Sequence, residues 1–430
     1  MIERAAPPRS EPTASRRMLP WPKRFDIALL GFTGLVIAYC DRINISVAAP
    51  VLMKERGWDT ARMGWVLSAF YVGYVLMMIP VGVLVDRYGP KRVFAFSITW
   101  WSLFTALTPL PKSLLGMAFM RALMGAGEGG TQPATNAMLV RWFPRSEHAR
   151  AASFCWSGGY VGPIVGVPLA TAILGVWGWE AVFYSFAVTG MLWLAFWQAA
   201  ATDRPEDCKG LPAAELAWIR GGEAPQTKPG AVPWKRMLGL PALWALLILH
   251  FSTNWLSYFM NSWLPTFLMM DRGFSLSNMA LGASFPFLSA FLGANVTGTL
   301  ADYFSRKHDR TAVRKALILL YAASAVAIAL VPLFREPVMT VVLLSLSMVF
   351  KTGASPVVTS NSLDIAPRYA GTVVGIQNCF ANLAGILAPV VIGYIVRTGG
   401  WDIAFYLTAV ICLAGMAAFL LFGKAERLID

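Results

Sequence analysis

Charge is what this chain has least of. Asp, Glu, Lys and Arg make up 14% of its 430 residues, whereas a soluble globular protein devotes about a quarter of its residues to them. That shortage argues against a water-soluble fold. Cysteine is also sparse: Cys40, Cys155, Cys208, Cys379 and Cys412 show neither C-x-x-C nor Cys/His spacing, and four of them lie in apolar runs. No disulfide framework, zinc site or other metal site is expected. The first twenty residues are polar, basic and proline-containing, without the short apolar run of a cleavable signal peptide. They are expected to form a disordered cytoplasmic tail. The sequence offers no nucleophile–base set and no soluble cofactor domain, so an enzyme is the weakest reading and no cofactor is expected.

What the chain has in abundance is apolar length, with 57% of its residues hydrophobic. Apolar runs fall at approximately 25–49, 63–85, 93–110, 113–140, 150–174 and 180–200, and again at 238–267, 275–300, 312–333, 337–362, 369–396 and 402–423. Each is long enough, at about 1.5 Å per residue, to cross roughly 30 Å of hydrocarbon as a helix. An all-α membrane protein of twelve transmembrane helices follows, arranged as two six-helix bundles. The expected organisation is the tail 1–20, an N-terminal bundle 21–200, a Pro-, Gly- and charge-rich cytoplasmic linker 201–236, a C-terminal bundle 237–424 and a short cytoplasmic tail 425–430.

The net charge of +13 does not point to nucleic acid once its placement is read. Of 36 Lys and Arg, 26 fall at the two ends and in the loops after even-numbered spans, seven fall in the opposite loops, and three (Arg42, Arg121, Lys351) lie inside spans. The positive-inside rule then places both termini in the cytoplasm. A bacterial cytoplasmic membrane is the expected location, and a monomer is expected.

The halves repeat. Gly82-Val-Leu-Val-Asp86-Arg87-Tyr-Gly-Pro-Lys91-Arg92 follows the second span, and Gly298-Thr-Leu-Ala-Asp302-Tyr-Phe-Ser-Arg306-Lys307 follows the eighth. Each places a Gly, an Asp four residues on and then basic residues at the cytoplasmic end of the second helix of a half. The glycines are expected to allow close helix approach, and the aspartates to pair with bases or to cap a neighbouring helix. Ordinary charged turns would be the plainer explanation, but two matched copies in equivalent places argue against coincidence.

Ionisable groups inside spans are costly and mark function. Asp41, Arg42 and Asn44 sit deep in the first span. Adjacent helical residues point about 100° apart, so Asp41 and Arg42 cannot satisfy each other and each needs a partner elsewhere. In the fourth span Arg121 and Glu128 lie two turns apart on one face, roughly 10 Å along the axis. A buried carboxylate poised between desolvation and a neighbouring guanidinium can take up and release a proton. Guanidinium groups also match a substrate carboxylate with two donors at once. Asp41 and Glu128 are therefore candidate proton-coupling residues, and Arg42 and Arg121 candidate anion ligands.

Tyr39 and Tyr74 are candidate lining residues because of the charges around them. The C-terminal half supplies amides: Asn254, Gln377, Asn378 and Asn382 are candidate substrate ligands, as against helix-to-helix hydrogen bonds, which are expected for about half of such amides. Lys351 lies near the middle of the tenth span, some 20 Å of helix from its cytoplasmic end, too far to snorkel readily. It is expected to face the cavity and add a third positive charge. The glycines of Gly125-Ala-Gly127-Glu128-Gly129-Gly130, and Gly158, Gly162 and Gly166 in the fifth span, read as close-packing or hinge positions rather than a phosphate cradle.

Twelve spans as six plus six with the repeated loop motif resemble the major facilitator superfamily, in which two bundles rock about a midplane site. Tyr39-Cys-Asp41-Arg42-Ile-Asn44-Ile-Ser-Val-Ala and Arg141-Trp-Phe-Pro-Arg-Ser-Glu147-His-Ala-Arg150 are similar to the anion:cation symporter family, notably bacterial sugar-acid permeases. Ser362-Leu-Asp364-Ile-Ala-Pro-Arg368-Tyr-Ala-Gly is similar to a loop of sialin and the vesicular glutamate transporters. The resemblance implies protonation at Asp41 and Glu128, anion binding at Arg42 and Arg121, site positions at Tyr39, Tyr74 and Asn382, and uptake of an organic anion driven by the proton gradient. Two features depart from it. Lys351 has no counterpart expected in the sugar-acid permeases and admits a dianion. Gly162-Pro163-Ile-Val-Gly166 partly resembles a proton-antiporter motif. An exporter, or a carrier of a metal-related or phosphorylated anion, therefore stands as an alternative, as does a non-transporting sensor.

Overall fold

The apolar runs have no backbone partner in lipid except within themselves, so they fold as helices. The computed structural model describes residues 21–221 and 232–429 and contains no strand among them; the expected tail 1–20 lies outside the described residues. The N-terminal half comprises α1 (Lys23–Arg56), α2 (Thr60–Tyr88), α3 (Pro90–Leu107), α4 (Leu114–Glu128), α5 (Thr131–Trp142), α6 (Arg145–Trp177) and α7 (Trp179–Ala200). Two short helices, α8 (Ala213–Arg220) and α9 (Trp234–Leu238), lie in the linker. The C-terminal half comprises α10 (Pro241–Met270), α11 (Leu276–Ser305), α12 (Arg310–Leu330), α13 (Pro337–Lys351), α14 (Ser355–Ile365), α15 (Ala370–Gly399) and α16 (Trp401–Phe422).

Among the described residues, nine stretches meet length and hydropathy requirements for crossing a membrane. Helices α3 and α10 and the broken pair α4–α5 complete the count of twelve. The fourth span is not one helix: α4 stops at Glu128, Gly129 and Gly130 form a turn, and α5 resumes at Thr131. The tenth breaks at the corresponding place, where Thr352–Ala354 is a 3-10 turn between α13 and α14.

Helix ends follow local chemistry. The side chains of Asp59, Ser113, Ser275 and Asp309 accept the orphan backbone N–H groups opening α2, α4, α11 and α12. At the end of α1, Gly57 turns the chain at φ 64°, a left-handed conformation that favours glycine. The expected close-packing role of the fifth-span glycines is realised in α6. A side chain at Gly158 would meet the Phe32 carbonyl, and one at Gly162 the body of Tyr39, so α6 lies directly on α1. The linker is bonded to the N-terminal half: Glu215 of α8 accepts from the backbone N–H groups of Lys23 and Arg24 and from the Arg24 guanidinium, each at 3.1 Å.

The two halves meet closely at one face of the molecule and part at the other. On the face opposite the basic loops, a Cβ at Gly64 would stand 2.6 Å from the Pro389 carbonyl, and one at Gly393 would stand 2.4 Å from that of Thr60. Thr60 donates to the Gly393 carbonyl at 2.7 Å, Ser68 donates to the Ile386 carbonyl at 2.6 Å, and Asp59 pairs with Arg397 at 3.4 Å. On the basic-loop side, Gly82, Gly298, Gly371 and Gly375 have nothing within 4 Å of a built Cβ. There a cavity of ≈ 670 Å³ lies between the halves.

That opening corrects two expectations about the repeated loop motif. Gly82 and Gly298 make no close helix contact here. Asp86 and Asp302 are exposed and form no ion pair or cap among the described residues. The cap of α3 comes instead from linker residue Asp203, which accepts from the Lys91 N–H at 2.8 Å. Lys91 also donates from Nζ to the Gln198 carbonyl at 3.0 Å, so part of the motif joins the start of α3 to the end of α7. Arg87 lies over the ring of Tyr88, while Arg92 and Arg306 are exposed.

Candidate substrate and coupling site

Arg42 is the hub of the N-terminal half. Its Nε donates to Glu128 Oε1, so the residue that Asp41 cannot serve finds its acid on α4. The guanidinium carbon stands 4.4 Å from the ring centre of Tyr39, 4.7 Å from that of Tyr74 and 5.3 Å from that of Phe70. These rings stabilise a cation removed from water. They also exclude solvent from the ion pair, whose carboxylate is fully buried.

Asp41 points elsewhere. Its Oδ2 accepts from Trp101 Nε1 of α3 at 3.1 Å, while Oδ1 has no partner. Arg121 is 2% exposed and has no carboxylate partner among the described residues. Its contacts are Met124 Sδ at 2.9 Å from Nη1 and the Phe70 ring at 5.2 Å, and its Nε is unpartnered. Glu128 Oε2 and both amide atoms of Asn44 are likewise buried without partners among the described residues. Unsatisfied groups of this kind carry a desolvation cost of about 1–3 kcal/mol each. These five atoms belong to four residues of α1 and α4.

Across the interface, the Tyr71 and Tyr258 rings stand 4.5 Å apart. The Tyr258 hydroxyl donates to Asn382 Oδ1 at 2.6 Å, and Asn382 Nδ2 donates to the Asn378 carbonyl at 2.8 Å. Asn382 also comes within 3.9 Å of Met78 Sδ on α2, which places it against the other half. Asn378 lines the central cavity. Asn254 lies one turn from Tyr258 on the same face of α10 and is half-buried. Gln377 is different: its Nε2 donates to the Val358 carbonyl at 2.8 Å, fastening α15 to α14. This amide supports the fold and is turned away from a ligand role. Lys351 is 8% exposed and has no acid partner among the described residues.

Several residues join the site unforeseen. Phe70 completes the cage around Arg42, Trp101 holds Asp41, and Met78, Gln132 and Asn136 line the cavity or its approach. The indole of Trp101 carried a usable signal: a buried N–H needs an acceptor. Phe70 carried none, since an apolar ring in a span reads as packing. No group of three or more His, Cys, Asp or Glu suited to a metal occurs among the described residues.

Two six-helix halves around a shared polar centre define a transporter architecture, and comparison with known proteins identifies its family. The description "Major Facilitator Superfamily" matches residues 31–308 and 308–428. The chain belongs to the major facilitator superfamily, a family of multi-pass membrane transporters and not of enzymes. It is 34% identical over 420 residues to the "Probable anion transporter 4, chloroplastic" of Oryza sativa subsp. japonica, covering 96% of this chain and 71% of that one. It is 32% identical over 389 residues to a probable sulfoacetate transporter of Cupriavidus necator, covering 89% and 90%. Among solved structures, a bacterial homologue of the human lysosomal transporter Spinster superposes with a TM-score of 0.74 at 18% identity, covering 95% and 98%. That likeness establishes the fold.

Proposed function

We propose that the protein is a secondary transporter that carries an organic anion together with protons by alternating access, in a bacterial cytoplasmic membrane with both termini cytoplasmic. The observation that carries this reading is the contrast between the two N-terminal arginines. Arg42 is paired with Glu128, whereas Arg121 is buried with no carboxylate in contact among the described residues. An anion is what such a guanidinium lacks. The names of the anion-transporter relatives from a plant and a bacterium support the same substrate class.

The coupling follows from the same pair. Protonation of Glu128 removes the charge that holds Arg42, which frees a second guanidinium for the anion. Deprotonation restores the Arg42–Glu128 pair, and the pair competes with the substrate and favours release. Asp41, with one oxygen bonded to Trp101 and one unpartnered, is the second proton-binding site. The packed face, from Asp59–Arg397 to Gly64–Pro389, is then the outer face, and the cavity opens to the cytoplasm.

The test is uptake into proteoliposomes with an imposed pH gradient. Wild-type protein is expected to concentrate its anion when the outside is acidic. Glu128→Gln is expected to equilibrate the anion without concentrating it and without dependence on pH. A Glu128→Gln protein that still concentrates substrate would remove Glu128 from the coupling scheme.

A further inference from the structure

We infer that the transported anion carries two separate acidic groups, one held by Arg121 in the N-terminal half and the other by Lys351 in the C-terminal half. This rests on the anion-carrier reading above and narrows it to a class of substrate: a short dicarboxylate or sulfocarboxylate.

The repeat places Lys351. Helices α4 and α13 are both 15 residues long, and both are followed by a break and a short second helix. Glu128 is the last residue of α4 and Lys351 the last of α13. The two halves thus put a carboxylate and an ammonium in the same slot of the same broken span. Glu128 reaches the centre of the molecule to bond Arg42, and the equivalent slot in the other half directs Lys351 to the same centre.

The neighbours of Lys351 agree. His250 of α10 and Cys412 of α16 lie within its electrostatic reach. His250, Asn254 and Tyr258 recur every four residues along one face of α10, and that face touches Tyr71 of the opposite half through Tyr258. One turn beyond Lys351, Ser355 lies beside Tyr160 of α6, again across the interface. His250 Nδ1 is itself buried without a partner among the described residues. Lys351 is therefore enclosed beside the α10 face that reaches the N-terminal half and does not lie on the lipid side.

The charge balance then decides the substrate. In the loaded state of the coupling scheme Asp41 and Glu128 are both protonated, which leaves Arg42 and Arg121 in the N-terminal half and Lys351 in the C-terminal half without an acid. A monoanion would answer a cation of one half only, whereas a dianion answers one in each. It would also draw the two halves together around itself.

The test uses the full-length protein in detergent, with calorimetric affinities for matched pairs: succinate against its monomethyl ester, malonate against acetate, and sulfoacetate against acetate. Wild-type protein is expected to bind the dianion about tenfold or more tightly than its partner. In Lys351→Gln that preference is expected to fall below about threefold, and Lys351→Arg is expected to restore it. Equal affinities in the wild type, or a preference that survives Lys351→Gln, would overturn the inference while leaving an anion carrier in place. If Lys351→Gln does not fold, the succinate–monomethyl succinate ratio of the wild type decides by itself. Binding of no anion of either kind would overturn this inference together with the anion-carrier reading.

Discussion

Arg42 and Glu128, 86 residues apart in the chain, form an ion pair inside a sleeve of three aromatic rings, with the carboxylate fully buried. The rings matter to its chemistry because a planar guanidinium can stack on them while its edge donates to the acid. Lysine keeps the charge but loses both the planar stacking and the Nε geometry. A desolvated cation–π contact is worth up to about 2 kcal/mol, and 1.4 kcal/mol is about a factor of ten. Arg42→Lys is therefore expected to weaken anion affinity about tenfold or more, measured by calorimetry. Wild-type affinity in Arg42→Lys would mean that a point charge suffices.

The pair also shows what was legible in the sequence and what was not. That Asp41 and Arg42 had to look away from each other followed from helical geometry. That Arg42 would find Glu128, and Asp41 the indole of Trp101, depended on how α1, α3 and α4 lean together, which no local pattern records. The twelve spans were legible because hydrocarbon imposes a length. Gln377 was misread because its partner, the Val358 carbonyl on α14, lies in the broken tenth span, and the break is not visible as a change in hydropathy. Gly82 and Gly298 were expected at close contacts and stand in the open for a different reason: a sequence encodes all conformations of a carrier, and a structure shows one.

Trp101 offers a check on the role of Asp41. Its N–H makes the one hydrogen bond to that carboxylate among the described residues. Trp101→Phe keeps the ring and removes the donor. The pH profile of uptake should then differ from that of wild type, because the carboxylate loses its one donor. The readout is initial uptake rate across a pH series in proteoliposomes; an unshifted profile would leave Asp41 outside the coupling.

At the packed face, Asp59 joins α2 to α15 through Arg397. Its pKa is lowered, first by the Arg62 backbone N–H it accepts at the cap of α2 and further by Arg397. A carboxyl lowered in this state favours the state only above its ordinary value, roughly 4, and the benefit is lost as pH falls through the lowered value. Between pH 5 and 8 the latch should therefore be constant, outside the range in which coupling operates. Both side chains are more than a third exposed, so the pair is worth at most about 1 kcal/mol. Asp59→Asn is expected to raise labelling of a cysteine placed behind the latch by no more than about fivefold, equally at pH 5.5 and pH 7.5. A pH-dependent gain would make Asp59 part of the proton pathway.

The glycines predict opposite failures at the two faces. Gly64 and Gly393 are filled against backbone, so any side chain there pushes α2 from α15. A Cβ at Gly64 would lie 2.6 Å from the Pro389 carbonyl, closer than real side chains approach. Gly64→Ala should therefore disfavour the closed outer face and expose it to impermeant thiol reagents. Gly375 has empty space around it and lines the cavity opposite Val75, Met78 and Ile79 of α2; Gly82, one turn on from Met78, has the same freedom. Larger residues at these two positions fit the present state without strain but fill the volume that closure of the cytoplasmic side must use. Gly375→Leu is expected to fold with an unchanged melting temperature and still bind anion from the cytoplasmic side. Its uptake should fall by about a hundredfold, because the inward-open state can no longer close. Normal uptake by Gly375→Leu would show that α2 and α15 do not approach each other there, and that closure takes a path that this part of the interface does not share.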